Sequence, residues 1–350
     1  MRHRLVQLVL SIFSKLLHHA QGRDEIRRAL PKAGAAPRPP IFDEEVIREL
    51  PYVGLGKIYN AGKHSKPPPI FVTARFRTGS TLLWRLFRES PGVTAYYEPF
   101  NERRWFSASG RAGGVDPTHR GVSDYWLEYK GLSELSEYYD PAWTDTNLYM
   151  DGTSQDANMA RFIRTLIART DNTAALQFNR VDFRLEWLRQ NFPTGRIIHL
   201  YRHPREQWVS SLYGDFSLPK EATLAQFTAA DKFYLLKWIR DLSWQFPILD
   251  ALSEHHPYAA FYALWRLSYV YGRHFSDMSV GYEDLVDRPD QEFAKVADVC
   301  NLGEMPRNFA SDRVDGKDLS KAERYADESW YRAIESEVGA LLHPTLVRRD

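Results

Sequence analysis

Residues 70 to 88, IFVTARFRTGSTLLWRLFR, gather side chains suited to gripping an anion. Arg77 carries a planar positive fork, and the hydroxyls of Thr78, Ser80 and Thr81 can donate hydrogen bonds. Gly79 lets a ligand approach the backbone closely. A second set stands in RIIHLYRHPREQWVSSL, residues 196 to 212, with Arg202, Pro204, Arg205 and Ser210. Arg202 leaves an apolar run as a charged donor and Pro204 stops that run. Ser210 then falls about two helical turns further on, towards the same pocket. The plainer readings are a helix-capping turn with a surface arginine at 77 and a strand-end ion pair at 202.

These groups need elements to aim them. Phe71 and Val72 are strand formers, whereas Leu82, Leu83, Leu86 and Phe87 recur at helical spacing, so residues 70 to 88 read as strand, turn and helix. Such a unit points free backbone N–H groups and the positive end of a helix dipole at one spot. Residues 173 to 180, TAALQFNR, read as another strand, and VDFRLEWLRQNF as the helix leading to the Arg202 strand. In SDMSVGYEDLVDRP, residues 276 to 289, Tyr282, Glu283 and Asp284 read as a strand end and a helix cap, with Pro289 opening a further helix. Strands alternating with helices give an α/β fold on a parallel sheet. Residues 214 to 275 are aromatic-rich and read as helical, mostly core, with a minority walling a ligand pocket.

The first loop fails the pattern of a nucleotide triphosphatase, G-x-x-x-x-G-K-[ST]. The aligned residues are Ala74, Gly79, Ser80 and Thr81, so the first glycine and the lysine are missing. It resembles instead the 5′-phosphosulfate loop of the sulfotransferases, R/K-[ST]-G-[ST]-[ST]. Those enzymes transfer a sulfuryl group from 3′-phosphoadenosine-5′-phosphosulfate (PAPS), leaving 3′-phosphoadenosine-5′-phosphate (PAP). The second set is similar to that family's R-x-P-[RK]-x-x-x-x-S, whose arginine and serine bind the 3′-phosphate. A third likeness, to Y-E-D-L-x-x-x-P, covers residues 282 to 289.

The resemblance spans about residues 68 to 300 and implies a P-loop-type doubly wound parallel sheet flanked by helices, with a helical acceptor or lid region. It implies Arg77, Thr78, Gly79, Ser80, Thr81, Arg202 and Ser210 as donor-binding residues, with Arg77 also catalytic and no metal required. The general base it implies is Glu98, in PGVTAYYEPFNE, because carbohydrate and tyrosyl-protein sulfotransferases similarly carry a glutamate after the first helix and a P-x-V turn. A carboxylate there can take the acceptor's proton if burial raises its pKa. The plainer reading pairs Glu98 with Arg103 or Arg104, and the rival base is Glu102, one helical turn on. The cytosolic small-molecule enzymes use a histidine before the 3′-phosphate motif. Gln177-Phe178-Asn179-Arg180 has none, and His203 should point away. The role of Arg180 stays open. The acceptor implied is a hydroxyl on a carbohydrate. The alternatives are a tyrosyl, phenolic or small-alcohol acceptor, and a P-loop kinase or NTPase.

The whole chain sets bounds on these readings. It has 350 residues, 43% of them hydrophobic, with 46 basic and 45 acidic side chains and a net charge of +1. That balance disfavours nucleic acid as a partner. Arg75, Arg77, Arg202 and Arg205 are enough local charge for one small anionic donor. Cys300 is the sole cysteine, which suits a reducing cytoplasm. At the N-terminus, Leu5, Leu8, Val9, Ile12 and Leu16 share a helical face too short and polar to span a bilayer. It reads first as a docking helix, second as a peripheral membrane contact, third as a signal or anchor. Prolines punctuate residues 31 to 69, so the expected division is 1–67, helix and linker, and 68–350, the sulfotransferase domain.

Overall fold

The computed structural model describes residues 68–111, 122–213, 215–314 and 321–346. The N-terminal helix and all but the last two residues of the linker lie outside them. Five strands form one parallel sheet: β1 (Ile70–Ala74), β2 (Val93–Tyr97), β3 (Thr173–Phe178), β4 (Arg196–Tyr201) and β5 (Met278–Gly281), in the order β2-β3-β1-β4-β5. β1, β3 and β4 are buried along their whole length and read as near-continuous apolar runs, as strands covered on both faces must. Val72 of β1 pairs with Gln177 on one side and Ile198 on the other, which aligns the three C-terminal ends.

Helices supply both covering layers. They are α1 (Ser80–Glu89), α2 (Ala157–Ala168), α3 (Leu185–Asn191), α4 (Pro204–Ser211), α5 (Leu235–Leu242), α6 (Ile248–Ala251), α7 (Pro257–Phe275), α8 (Tyr282–Asp287), α9 (Pro289–Val299) and α10 (Glu328–Leu346). α7 is buried from Pro257 to Arg273 and packs on β4, α3 and α10, so it is the internal post of one layer. Gly272 makes this close approach possible, because a Cβ there would stand 2.4 Å from the His199 ring of β4. No helix among the described residues is long and apolar enough to cross a membrane.

Two elements differ from the sequence reading. Val93–Tyr97 is an edge strand, β2, that follows the Pro91-Gly92 turn, so Glu98 stands at a strand end. The 181 to 192 helix begins only at Leu185, because Val181 to Arg184 first turn the chain back from β3. The aromatic region folds as a short turn at Leu224–Phe227 followed by α5, α6 and α7. In this order the connections leaving β1 and β4 run to opposite sides, which opens a crevice beyond their C-terminal ends.

Candidate functional site

Every strand ends in residues that meet at this crevice. β1 leads into Arg75-Phe76-Arg77-Thr78, with Arg77 at φ 67° and Gly79 at φ 89°. Gly79 caps α1, no side chain bonds to that cap, and the first turn of α1 carries no acidic residue. The positive end of α1 is therefore left for another anion. Gly79 is required twice over, by its positive φ and because a Cβ would lie 2.3 Å from the Tyr282 ring beneath it. The Thr78 hydroxyl donates to the Arg75 carbonyl at 2.8 Å and so braces the loop. Ser80 is buried, and the hydroxyls of Thr81 and Tyr97 share a hydrogen bond of 3.2 Å.

The second motif closes onto the first. Ser210, near the end of α4, accepts from Arg77 Nε at 3.1 Å, and an Arg202 terminal nitrogen donates to the Arg77 carbonyl at 3.2 Å. Arg202 lies over the Tyr282 ring, 4.8 Å from its centre, and burial holds its pKa below the usual value. Its Nε is buried without a hydrogen-bond partner, as expected of a donor that waits for an anion. The nearest carboxylates are Glu206 at 3.8 Å, which accepts from the main-chain N–H groups of Lys321 and Ala322, and Glu283 at 4.0 Å, one oxygen of which accepts from that of His203. A phosphate fits this donor set.

The two other arginines have carboxylate neighbours of their own. Arg75 is buried 3.6 Å from Asp182 and over the Trp238 ring, with its pKa brought down to about 10 by burial. Arg205 ties α4 to α10 through Glu335, at 2.7 Å, and Glu328. Arg205 is thus committed to glutamates of α10, whereas the Nε and one terminal nitrogen of Arg75 are buried without a hydrogen-bond partner.

Glu98, at φ 39° and only 6% exposed, is the centre of a hydrogen-bonded cluster. Its carboxylate accepts from Asn179 at 2.5 Å, Asn101 at 2.6 Å and Arg180 at 3.0 Å. The arginine partner is thus Arg180 rather than Arg103 or Arg104. Parallel pairing of β2 with β3, Tyr97 opposite Gln177, brings these distant residues side by side. Arg180 also donates to Glu102 at 2.6 Å, and Glu102 in turn accepts from the Tyr234 hydroxyl at 2.8 Å. Burial opposes the charge on Arg180, but the two carboxylates offset this and hold its pKa above the usual value. Its guanidinium packs over the Phe76 ring at 4.9 Å, which joins the Glu98 cluster to the loop. Glu102 sits in a turn rather than one helical turn along, and its side chain is 49% exposed. The His203 ring is largely buried, which pushes its pKa down to about 4.

Sequence reasoning missed Asn179, Phe76 and Tyr234 and left Arg180 without a role. The available signal was position: Asn179 and Arg180 directly follow β3, as Arg202 directly follows β4.

A search of curated proteins found no match. Solved structures with a related course of chain include a sulfotransferase domain from the curacin biosynthetic pathway, 15% identical, covering 80% of this chain and 98% of that one, with a TM-score of 0.39. A sulfotransferase from Alicyclobacillus acidocaldarius is 16% identical, covering 76% and 100%, at a TM-score of 0.34. One from Mycobacterium avium is 12% identical, covering 81% and 78%, at 0.40. The assignment rests instead on sequence, because the model of the sulfotransferase family matches residues 68–306, more than half of the chain. The chain belongs to the sulfotransferase family.

Proposed function

We propose that this sulfotransferase moves the sulfuryl group of PAPS onto an acceptor hydroxyl, on a carbohydrate or glycoconjugate, with Glu98 as the base. The observation that carries the reading is the meeting of Arg77, Arg202 and Ser210 in the β1/β4 crevice, next to the Glu98 cluster. Arg202 and Ser210 are suited to hold the 3′-phosphate. Arg77 and the main-chain N–H groups at the start of α1 would neutralise charge on the departing 5′-phosphate. Glu98 would accept the acceptor's proton as the new oxygen–sulfur bond forms and the old one breaks. Asn101, Asn179 and Arg180 all donate to Glu98 and so fix where its oxygens face. The domain is proposed to cover 68–350, preceded by the helix and linker of 1–67.

A phenolic acceptor is the second reading, favoured by the aromatic wall of Phe76, Phe233 and Tyr234 beside Arg180. A kinase reading is disfavoured by Ser80, which stands where the phosphate-binding lysine should be. A donor-consumption screen against saccharides, phenols and lipids separates the acceptors. Turnover confined to phenols would overturn the carbohydrate reading.

A further inference from the structure

Arg77 lies against two aromatic rings, and one of them occupies a backbone position that does not suit it. The guanidinium carbon is 5.0 Å from the Tyr213 ring centre and 5.7 Å from that of Phe233. The two rings stack on each other at 5.4 Å and 26°. Tyr213 is the residue after the C-cap of α4, where a helix ends in the left-handed region and glycine or asparagine is usual. Its φ is 55°, rare for a bulky side chain, and the residue is 48% exposed, so burial does not account for it. Strain retained beside a site points to a role for the side chain that is strained.

We infer that Tyr213 is a positioning residue for the donor loop, whose ring, together with that of Phe233, holds the Arg77 guanidinium in place. This rests on the reading that Arg77 grips the donor. The Arg77 Nε–Ser210 bond fixes one edge of the guanidinium, and the ring covers a face. A cation held this way reaches a phosphate with less rearrangement than one on a freely turning side chain. α4 therefore contributes twice, through Ser210 near its end and through the residue just beyond it.

The test uses calorimetric titration of PAP, which needs no acceptor, together with thermal unfolding of each variant. Tyr213→Asn suits the left-handed turn, so its melting temperature should match or exceed that of the parent, while PAP affinity falls about tenfold. Tyr213→Phe keeps the ring and should bind PAP within about twofold of the parent. In an Arg77→Ala background the Tyr213→Asn change should have almost no further effect, because the two act as one unit. Parent-like PAP affinity in Tyr213→Asn, with Arg77→Ala weakened, would overturn the positioning role and leave the loop reading standing. The same tenfold loss with and without Arg77 would also overturn it. Parent-like affinity in Arg77→Ala would remove the loop reading and this inference with it.

Discussion

Glu98 and Glu102 share one arginine, yet their surroundings divide their roles. Glu98 is buried among three donors, whereas Glu102 is half exposed and bonded to Arg180 and Tyr234. Glu98→Gln should therefore lower turnover by about 10²- to 10⁴-fold, the usual contribution of a general base. The amide N–H it introduces would face a donor, so a small drop in melting temperature should accompany the loss. Glu102→Gln should stay within about tenfold of the parent, since Glu102 is half exposed and Arg180 keeps its bond to Glu98. A dead Glu102→Gln beside an active Glu98→Gln would move the base to Glu102. Arg202→Ala should weaken PAP by about 2 to 4 kcal/mol, the loss of a charge-assisted contact at a desolvated site, with little change in AMP binding. Equal losses for PAP and AMP would place Arg202 away from the 3′-phosphate.

At the scale of elements, the strand–turn–helix unit is held by contacts its own sequence does not show. Gly79→Ala would force a methyl into the Tyr282 ring, contributed by α8, at a φ that alanine disfavours. It should lower stability by about 2 kcal/mol or more and abolish PAP binding, as read by urea unfolding and titration. Parent-like values would mean that the loop and Tyr282 are not in contact. The unit itself was legible because its signals are local: apolar β-formers, a glycine among hydroxyls, then helical spacing from Leu82 to Phe87. β2 was not, because five residues after Pro91-Gly92 look like the tail of a turn until a neighbouring strand pairs with them. The Glu98–Arg180 pair was illegible for the same reason. Its partners are 82 residues apart and meet only through β2 and β3. Sequence gives the charge of Arg205 but not the α10 glutamates that pair with it, nor the buried Asp182 that stands 3.6 Å from Arg75.

For the whole molecule, burial of neutral histidines sets an acid limit. His199 is pushed down to about 3 by burial and by Arg273, while His203 and His256 are pushed down to about 4, burial being the main cause. Above about pH 6.5 these rings are neutral folded and unfolded alike, so their burial carries no titration penalty. Below that value the unfolded chain takes up protons that the fold refuses, and stability falls until the folded values near 3 to 4 are reached. Buried carboxyls such as Asp182 and Glu283, whose pKa values burial raises, act in the opposite direction. The unfolding free energy read from urea titration should be lower at pH 5 than at pH 7.5. That difference should shrink in His256→Gln by about 1 to 2 kcal/mol, and an unchanged difference would mean that His256 does not drive it.

The central claim is that the β1/β4 crevice reads both phosphates of the donor, the 5′-phosphate through Arg77 and the start of α1 and the 3′-phosphate through Arg202 and Ser210, which the Arg77 contacts draw together. Calorimetric titration of the same protein with PAP, AMP and ATP tests it most directly. These ligands differ in the 3′-phosphate and in the 5′-phosphate chain. The account predicts that PAP binds at least about 100-fold more tightly than AMP, as loss of a charge-assisted contact at a desolvated site requires, and more tightly than ATP. Equal affinity for PAP and AMP, or preference for ATP, would contradict it.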